Sequence, residues 1–498
     1  MRSLQAALPA FAAGAASVLA FAPFGLYPVG FLCLGVLAWL LDRASHHRAA
    51  FIYGLLWGLG AFLAGVSWIY VALNRYGGMP MPLAGVAVLL FCAYLALFPA
   101  LAGALFVRLR SGGPVWRAAL FAGLWCGSEW LRGVLFTGFP WLASGYSQTP
   151  PSPLAGYLPV VGVYGVGGVL AFVSALTAFV PWASRPGMVR ALAVVAGVVA
   201  LGAGGSRVAW TAAEGPPLSV ALVQTNIEQS LKWSPEYFTE VLQTNARLVR
   251  DSRADFVVLP ETTLPTLVER LPVGYLDLLG RYVGERGAAL VLGVFTRDAD
   301  GQIFNSAISV GNGPPQYYAK RHLVPFGEYS PPLFGWFYRL AAIPMSDQTR
   351  GAQDQRPMAL LGQRIALNIC YEDLFGAELL SSLPAASLML NISNLAWYGD
   401  SLAQPQHLQI ARVRALETGR PMLRSTNTGM TAVVQPDGSI EAVLPGFEQG
   451  VLEAQVRGFT GMTPYARWGN GPVLLLAAVL VSLGGLRRRR DRRLSACA

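Results

Sequence analysis

Long apolar runs separated by short polar breaks constrain the fold of this chain more than any other feature of its sequence. A helix that crosses a bilayer needs roughly 17 to 25 mostly apolar residues. Eight runs approach or reach that length, and the second is the shortest: 5–23, 26–41, 51–73, 82–107, 115–134, 156–182, 190–210 and 470–486. Only 13% of the residues are charged, whereas an ordinary soluble domain carries about 25%. We therefore predict a membrane protein with about eight transmembrane helices.

The placement of basic residues predicts how these helices are oriented, because cytoplasmic loops of membrane proteins are enriched in lysine and arginine. Every second break between the runs is rich in arginine. The breaks between these, which would lie on the opposite side of the membrane, carry mainly Arg75 and Arg132. We predict that both termini are cytoplasmic and that the long polar stretch lies outside the cytoplasm. Topology then accounts for the net charge of +10, so no nucleic-acid partner is predicted. The basic residues on the predicted cytoplasmic side are Arg2, Arg43, Arg48, Arg108, Arg110, Arg117, Arg185, Arg190, Arg487–Arg490, Arg492 and Arg493.

Three parts of the chain follow from this pattern: transmembrane helices one to seven in 1–213, an extracytoplasmic domain in 214–466, and the last helix with a basic tail in 467–498. The first run also resembles a cleaved signal peptide. Its removal would leave an odd number of spans and spoil the charge pattern, which argues against cleavage. Residues 1–213 contain only Asp42 and Glu129 as acids, and the other 25 of the 27 acids follow.

Strand and helix patterns alternate in 214–466, which predicts an α/β domain. The sequence Pro436-Asp437-Gly438 predicts a turn between two short strands in 433–443. The predicted strands are Pro217–Ile227, Ala254–Pro260, Ala288–Phe295, Asn305–Val310, Arg364–Cys370 and Ala386–Ile392. The predicted helices are Pro235–Ser252, Leu276–Arg286 and Gln404–Thr418.

Three chemically useful residues stand out in this domain because their types are rare in the chain. Lysine occurs only as Lys232 and Lys320, and Cys370 is the only one of five cysteines in the polar stretch. Glu261 and Cys370 each end a predicted strand, where α/β sheets usually carry ligands and chemistry. A lone cysteine is no disulfide framework. The set predicts a thiol nucleophile, a carboxylate base and an ammonium that stabilises developing charge.

Each of the three also has an ordinary explanation. Glu261 could be a loop or helix-cap carboxylate, Lys320 could be a solvated neighbour of a basic residue, and Cys370 could be a buried structural thiol. The acids Glu372 and Asp373 directly after the cysteine favour the functional interpretation. So does the carboxylate of Glu328, on a loop that contains glycine.

Other residues are candidates for contacts with lipid. The segments Pro332–Tyr338 and Leu395–Tyr398 are rich in aromatic residues and are expected to dip into the membrane interface, although an ordinary hydrophobic core is the alternative. Glu129, near the outer end of the fifth predicted helix, is expected to pair with Arg132 or another polar group, because an unpaired intramembrane carboxylate is costly. It would thereby support the mouth of the active site. His322 and His407 are too far apart in sequence to indicate a metal site.

A glutamate after a strand, a lysine in a loop and a cysteine ending a later strand, in this order, resemble the nitrilase superfamily. The wider motifs and the eight-span frame resemble the apolipoprotein N-acyltransferase family, and the likeness covers essentially the whole chain. Two departures are Leu395, where the family often has a polar or acidic residue, and Glu228, where proline is common. The motifs are Val223–Ile227, Leu231–Trp233, Leu259–Thr262, Lys320–Tyr329, Ile369–Glu372 and Asn391–Asn394.

The resemblance implies a membrane α-helical bundle with a nitrilase-like αββα sandwich. It implies transfer of an acyl chain from a membrane phospholipid, with phosphatidylethanolamine as the expected donor, to the α-amino group of the N-terminal diacylglyceryl-cysteine of an apolipoprotein. A bacterial inner membrane, a periplasmic catalytic domain, no cofactor and a monomer are expected. Glu261, Lys320 and Cys370 would be catalytic. Supporting roles are implied for Glu328, Tyr371 and Glu372, and substrate binding is expected of Trp233, Trp397 and Glu129, with packing as the alternative for Trp233.

Two other functions remain open on the residues alone. A membrane-tethered nitrilase-like amidase would use the same catalytic residues, but seven preceding helices are more than a tether needs. A transporter or receptor with an external binding domain would need polar residues along its helices, where only two acids occur. It would also leave Glu261, Lys320 and Cys370 without a role.

Overall fold

The computed structural model describes residues 2–182, 184–330 and 347–497, with side chains described from residue 7 to residue 490. The chain forms two compact units. One contains Met1–Ser67, Gly85–Val208 and Pro464–Ala498, and the other contains Trp68–Ala84 and Ala209–Thr463.

The first unit is helical, and a helix lies at each of the eight predicted apolar runs. Among the described residues, five helices are long and apolar enough to cross a membrane: His47–Val66, Met81–Leu109, Pro153–Phe179, Arg185–Gly205 and Gly471–Arg490. The first two predicted runs form shorter helices, and the fifth includes Arg117, Glu129 and Arg132. The expected membrane bundle is therefore confirmed. All helices in or bordering this unit are Arg2–Ala16, Tyr27–Arg43, His47–Val66, Ile69–Val71, Met81–Leu109, Pro114–Arg132, Leu158–Phe179, Arg185–Gly205, Pro464–Trp468 and Gly471–Cys497.

The described residues of the second unit form two mixed β-sheets. Their strands are β1 Thr211–Gln224, β2 Phe256–Val258, β3 Leu264–Leu267, β4 Ala289–Arg297, β5 Ile303–Gly311, β6 Tyr317–Ala319, β7 Met358–Leu360, β8 Gln363–Ile369, β9 Leu388–Ser393, β10 Met422–Thr426, β11 Ala432–Val434, β12 Ile440–Val443 and β13 Gly450–Gly461. The first sheet has the order β13-β1-β2-β4-β5-β6, with β3 beside β4, and the second has the order β12-β11-β10-β9-β8-β7. In the middle of each sheet three strands run parallel, β1-β2-β4 in the first and β8-β9-β10 in the second.

The two sheets pack face to face through an apolar core. Side chains such as Leu222 and Val258 from the first sheet meet Ile369 and Leu390 from the second. Because successive side chains of a strand point to opposite faces of the sheet, every second residue of β1 and β2 points to the outer face, where helices cover it. The covering helices are Phe238–Asp251 and Tyr275–Gly284 on the first sheet and Gly376–Leu379 and Ala403–Thr418 on the second. The expected nitrilase-like αββα sandwich is confirmed.

The predicted strands and helices of this unit are all present, with ends shifted by a few residues. Five strands were not predicted, namely β3, β6, β7, β10 and β13. β13 pairs with β1 across its whole length, with a bulge between Glu214 and Leu218, and it extends β1 back to Thr211. What matters for function is that Glu261 follows β2 of the first sheet and Cys370 follows β8 of the second.

Candidate active site

Glu261 lies three residues after the end of β2 and is almost completely buried, with 4% of its surface exposed. Its two carboxylate oxygens have different partners. Oε1 accepts hydrogen bonds from Asn305 Nδ2 at 2.8 Å and Lys320 Nζ at 3.2 Å, and Oε2 accepts one from the backbone amide of Asn394 at 2.8 Å. Hydrogen bonds of this kind fix the orientation of a carboxylate.

Lys320 follows β6 and is buried between two carboxylates. Its Nζ lies 3.2 Å from Glu261 Oε1 and 2.7 Å from Glu328 Oε1. Burial alone would lower its pKa, but the attraction of the two carboxylates outweighs burial and raises the pKa of Lys320 well above the usual value. The ammonium therefore keeps its proton at neutral pH and is able to stabilise negative charge.

Glu328 and Asn305 complete the surroundings of this ammonium. Glu328 Oε2 accepts the backbone N–H of Val324 at 2.7 Å, which holds the loop after Lys320. Asn305, in β5, donates to both Glu261 Oε1 and, at 3.3 Å, Glu328 Oε1. The arrangement places one cation and one neutral donor between two carboxylates, so the negative charges are held apart.

Cys370 is the first residue after β8 and has a positive φ of 54°. Such a conformation is uncommon for a residue with a side chain and often marks a functional turn. Its carbonyl accepts a hydrogen bond from Asn391 Nδ2 at 3.1 Å. Burial raises the pKa of the thiol far above its usual value, Glu261 and Glu328 raise it further, and Lys320 lowers it. The thiol is thus electrically coupled to the other two predicted catalytic residues and needs a base to ionise.

Glu372 connects the cysteine turn to the lysine loop. Its Oε2 accepts from Ile369 N at 2.6 Å and from the Tyr318 hydroxyl at 2.9 Å, while its Oε1 accepts from Arg321 N at 2.7 Å. Burial raises the pKa of Glu372, and the backbone donors oppose that rise. One buried side chain thus holds the residues beside both Cys370 and Lys320, which is consistent with the predicted supporting role of Glu372.

Tyr371 and Asp373 point in other directions from Glu372. The Tyr371 ring packs against Phe375, with centroids 5.1 Å apart. Asp373 turns into the core, where its oxygens contact His407 Nε2 at 2.6 Å and Arg424 Nη1 at 3.0 Å. Since the Arg424 guanidinium can only donate to His407 Nδ1, the imidazole proton lies on Nε2. This fully buried trio supports the segment after Cys370 from behind.

The aromatic residues predicted to bind substrate lie in separate clusters. Trp233 is half-buried, 6.0 Å from Phe295 between ring centroids. Trp397 packs edge-on against Tyr76 at 5.8 Å, and the neighbouring Tyr398 packs against Trp68 at 4.5 Å. Burial and the nearby Cys370 raise the pKa of Tyr398 above its usual value. The segment Pro332–Tyr338, also predicted to face the membrane, lies outside the described residues.

Glu129 is buried in the first unit and has a polar partner, as expected. Its carboxylate accepts from the backbone N–H of Ser144 at 2.7 Å and from the Ser144 hydroxyl at 3.0 Å. Arg132 instead donates to the carbonyl oxygens of Phe139 and Trp141, each at 2.6 Å. The hydrogen-bond partner of Glu129 is therefore Ser144, and its predicted support of the active-site mouth stays a prediction.

The two departures from the family pattern lie outside the group of catalytic contacts. Leu395 is buried, with 1% of its surface exposed, so an apolar residue suits its position. Glu228 forms a 3.3 Å ion pair with Arg75, and both side chains are more than half exposed. Among the described residues, no group of three or more histidine, cysteine, aspartate or glutamate side chains is arranged to hold a metal ion.

Sequence analysis did not assign roles to Asn305, Asn394 or Lys232. An asparagine inside a predicted strand is unusual, since this residue is depleted in strands, and that signal could have drawn attention to Asn305. The role of Asn394 depends on its backbone amide, which leaves no signal in residue type. Lys232 donates from Nζ to the backbone carbonyl of Glu261 at 3.2 Å. Its rarity was noted, but only the fold brings it beside the catalytic carboxylate.

Taken together, the site contains the groups that nucleophilic catalysis requires. A half-buried thiol, a fixed carboxylate and a charged ammonium are the groups needed for nucleophilic attack, proton transfer and stabilisation of an oxyanion. Among the described residues, the three predicted catalytic residues lie in one site, with Glu328 and Glu372 holding the lysine and cysteine segments.

Comparisons with known proteins cover both units. A model of the apolipoprotein N-acyltransferase N-terminal domain matches residues 13–176, and a carbon-nitrogen hydrolase model matches residues 219–465. A protein named apolipoprotein N-acyltransferase from Nitrosomonas europaea is 45% identical over 490 residues, which cover 98% of each chain. Its namesake from Chromobacterium violaceum is 44% identical over 498 residues, covering 98% of this chain and 96% of that protein. A third, from Ralstonia nicotianae, is 45% identical, with coverage of 96% and 92%.

Proposed function

The chain belongs to the apolipoprotein N-acyltransferase family and is a bacterial membrane acyltransferase with a lipid substrate and a lipoprotein acceptor; from this premise we propose its donor, its intermediate and its catalytic residues. The acyl chain comes from a membrane phospholipid, with phosphatidylethanolamine as the expected donor. It passes through a thioester on Cys370 to the α-amino group of the acceptor's diacylglyceryl-cysteine. The observation that carries the proposal is the placement of Lys320 between Glu261 and Glu328, coupled to the Cys370 thiol.

In the first half-reaction, Glu261 takes the proton of the Cys370 thiol, and the sulfur attacks the ester carbonyl of the phospholipid. Lys320 stabilises the oxyanion that forms, a contribution worth about 3 to 4 kcal/mol in comparable acyl-transfer sites. When the intermediate collapses, the carbon–oxygen ester bond breaks. Glu261 returns its proton to the departing alkoxide, so lysophospholipid leaves and a thioester remains.

In the second half-reaction, the acceptor's uncharged amine attacks the thioester carbonyl. Glu261 takes a proton from the attacking nitrogen, and Lys320 again stabilises the oxyanion. Collapse breaks the carbon–sulfur bond, the amide leaves with the lipoprotein, and Glu261 returns the proton to the Cys370 sulfur. The same carboxylate therefore serves both halves, which explains why its orientation is fixed on three sides.

We also propose the arrangement in the cell: the inner membrane, both termini in the cytoplasm, and the 214–466 domain on the periplasmic side, in a monomer. In this arrangement Trp233, Trp397 and Glu129 contribute to substrate binding or its support. The distribution of arginines supports this orientation. Alkaline phosphatase fused after residue 214 should be active, and the same enzyme fused to the C-terminus should be inactive. The opposite result would reverse the proposed topology. Unchanged expression, stability and activity of Glu129→Ala would rule out its supporting role.

The test of the intermediate is the intact mass of the detergent-purified protein after incubation with phosphatidylethanolamine. We expect one added acyl group, removed by hydroxylamine and absent from Cys370→Ala. Cys126→Ala is the matched control, because it removes a buried thiol in the other unit and should still gain the adduct. If wild-type protein gained no adduct while it hydrolysed small amides, the thioester proposal would fail and the tethered amidase would be favoured.

A further inference from the structure

Lys232 is a buried cation that the mechanism above does not use. It ends the short helix Gln229–Lys232, and only 2% of its surface is exposed. Its Nζ donates to the backbone carbonyl oxygen of Glu261 at 3.2 Å. Within the described part of the chain, no carboxylate oxygen lies within 4.0 Å of this nitrogen. An ammonium buried against a neutral carbonyl carries a desolvation cost of several kcal/mol, so its presence needs an explanation.

The charges of the catalytic groups supply that explanation. Lys320 balances one of the two carboxylates Glu261 and Glu328, which leaves an excess negative charge. When the thiol proton moves from Cys370 to Glu261, the negative charge moves to sulfur and the excess remains. An ammonium at Lys232 cancels it, and Lys232 interacts electrostatically with both Glu261 and Cys370. Nearby, Asp373 is already paired with Arg424 and does not need this cation.

We propose that Lys232 is a positioning residue for the Cys370 thiolate: it holds the Glu261 turn by its carbonyl and supplies the second positive charge of the site. The inference rests on the proposed thioester chemistry, but it concerns the ionisation of the cysteine before any acyl transfer. Lys232 acts through its hydrogen bond to the backbone carbonyl of Glu261 and through its positive charge, without contact with the reacting carbonyl of the substrate.

The titration of Lys232 is consistent with this geometry. Burial lowers the pKa of Lys232 to about 7, while Glu261 and Cys370 oppose that fall. The negative groups that act on it electrostatically are the Glu261 carboxylate on the turn after β2 and the Cys370 thiol on the turn after β8. Since each negative charge raises the affinity of Lys232 for its proton, thiolate formation and protonation of Lys232 favour each other.

The test is the rate at which iodoacetamide alkylates Cys370, measured against pH in the full-length protein in detergent. For Lys232→Met we expect alkylation at pH 7 to be slower by about tenfold or more, with the ascending limb of the profile shifted upward by about one pH unit. Lys232→Arg keeps the charge and should restore the wild-type midpoint. Arg250→Met, which removes an exposed cation, is the matched control and should leave the profile unchanged.

A purely structural role for Lys232 gives a different result. If its bond to the Glu261 carbonyl were its only contribution, Lys232→Met would slow acyl transfer without moving the midpoint of alkylation, and the proposal would be overturned. Failure of the thioester proposal is recognised separately, by the absence of an acyl adduct in wild-type protein. The two failures are therefore distinguishable.

A measurement on the unaltered protein covers the case in which the variants do not fold. The chain has only two lysines, so selective ¹³C labelling of lysine ε-carbons gives two signals. We expect one signal, from Lys320, to stay charged and the other, from Lys232, to titrate near neutral pH. A Lys232 amine that is uncharged at every pH at which Cys370 is alkylated would refute the proposal.

Discussion

Replacing Glu261 by glutamine tests the proposed base with the smallest change in shape. Glutamine has nearly the same volume but cannot take a proton from Cys370 or from the acceptor amine. Loss of a general base costs about 10² to 10⁴ in rate, or about 3 to 5 kcal/mol of transition-state free energy. We therefore expect acyl-enzyme formation in Glu261→Gln to be slower by at least about a hundredfold.

The contacts of Glu261 also predict a loss of stability. Its oxygens accept from Asn305, Lys320 and the amide of Asn394, so a glutamine NH₂ group must face a donor whichever way it is turned. A buried donor left without an acceptor costs about 1 to 3 kcal/mol. In a domain of this size, that cost lowers the melting temperature by roughly 2 to 10 °C.

The assay is single-turnover acylation of purified protein, followed by intact mass and accompanied by thermal unfolding. Glu269→Gln is the matched control, because Glu269 forms an exposed ion pair with Arg297 and lies outside the site. Its acylation rate and melting temperature should match those of the wild type. A folded Glu261→Gln protein that acylates within tenfold of the wild-type rate would show that another group is the base.

Three further predictions concern the charges around the site. Lys320→Met should abolish acylation and destabilise the domain by about 3 to 5 kcal/mol, since it leaves a buried carboxylate pair uncompensated; adding Glu328→Gln should recover part of the melting temperature without recovering activity. Asp373→Asn should cost a similar amount by leaving Arg424 buried without its carboxylate, and unchanged thermal unfolding would contradict this. For Lys232→Met, the free energy of unfolding should rise relative to the wild type as the pH falls from about 10 to 7. In that pH range the unfolded wild-type chain binds a proton at Lys232 and the folded chain does not, so the wild type loses stability. A difference in melting temperature between the two proteins that does not change with pH would refute the lowered pKa.

The candidate catalytic residues could be selected from sequence because their signals are local, and their roles stay predictions. Glu261 and Cys370 each follow an apolar strand pattern, and the carboxyl ends of strands are where α/β sheets usually carry chemistry, although the two strands lie in different sheets. Lys320 was identified by its rarity. The lengths of the apolar runs predicted the membrane bundle, the alternation of strands and helices predicted an α/β domain, and the resemblance of its motifs to the nitrilase superfamily implied the αββα sandwich.

The remaining features depend on contacts between residues far apart in sequence. The extension of β1 to Thr211 follows from its pairing with β13, more than two hundred residues away, and no local pattern marks it. Asn394 acts through its backbone amide, which every residue except proline possesses. Glu129 was expected to pair with Arg132 or another polar group, and packing within the unit decided in favour of the Ser144 hydroxyl and amide.

The presence of lysine, and not arginine, at position 232 follows from what the site must do in its second half-reaction. In the proposed thioester state, Glu261, Glu328 and Lys320 keep the same excess negative charge, and the arriving acceptor can balance it with its own positive charge. The acceptor's α-amino group, with an ordinary pKa of about 7.7 to 8.0, arrives largely as an ammonium. A fixed positive charge beside Glu261 would oppose its approach. A lysine whose pKa lies near 7 can release its proton at that stage, whereas an arginine stays charged.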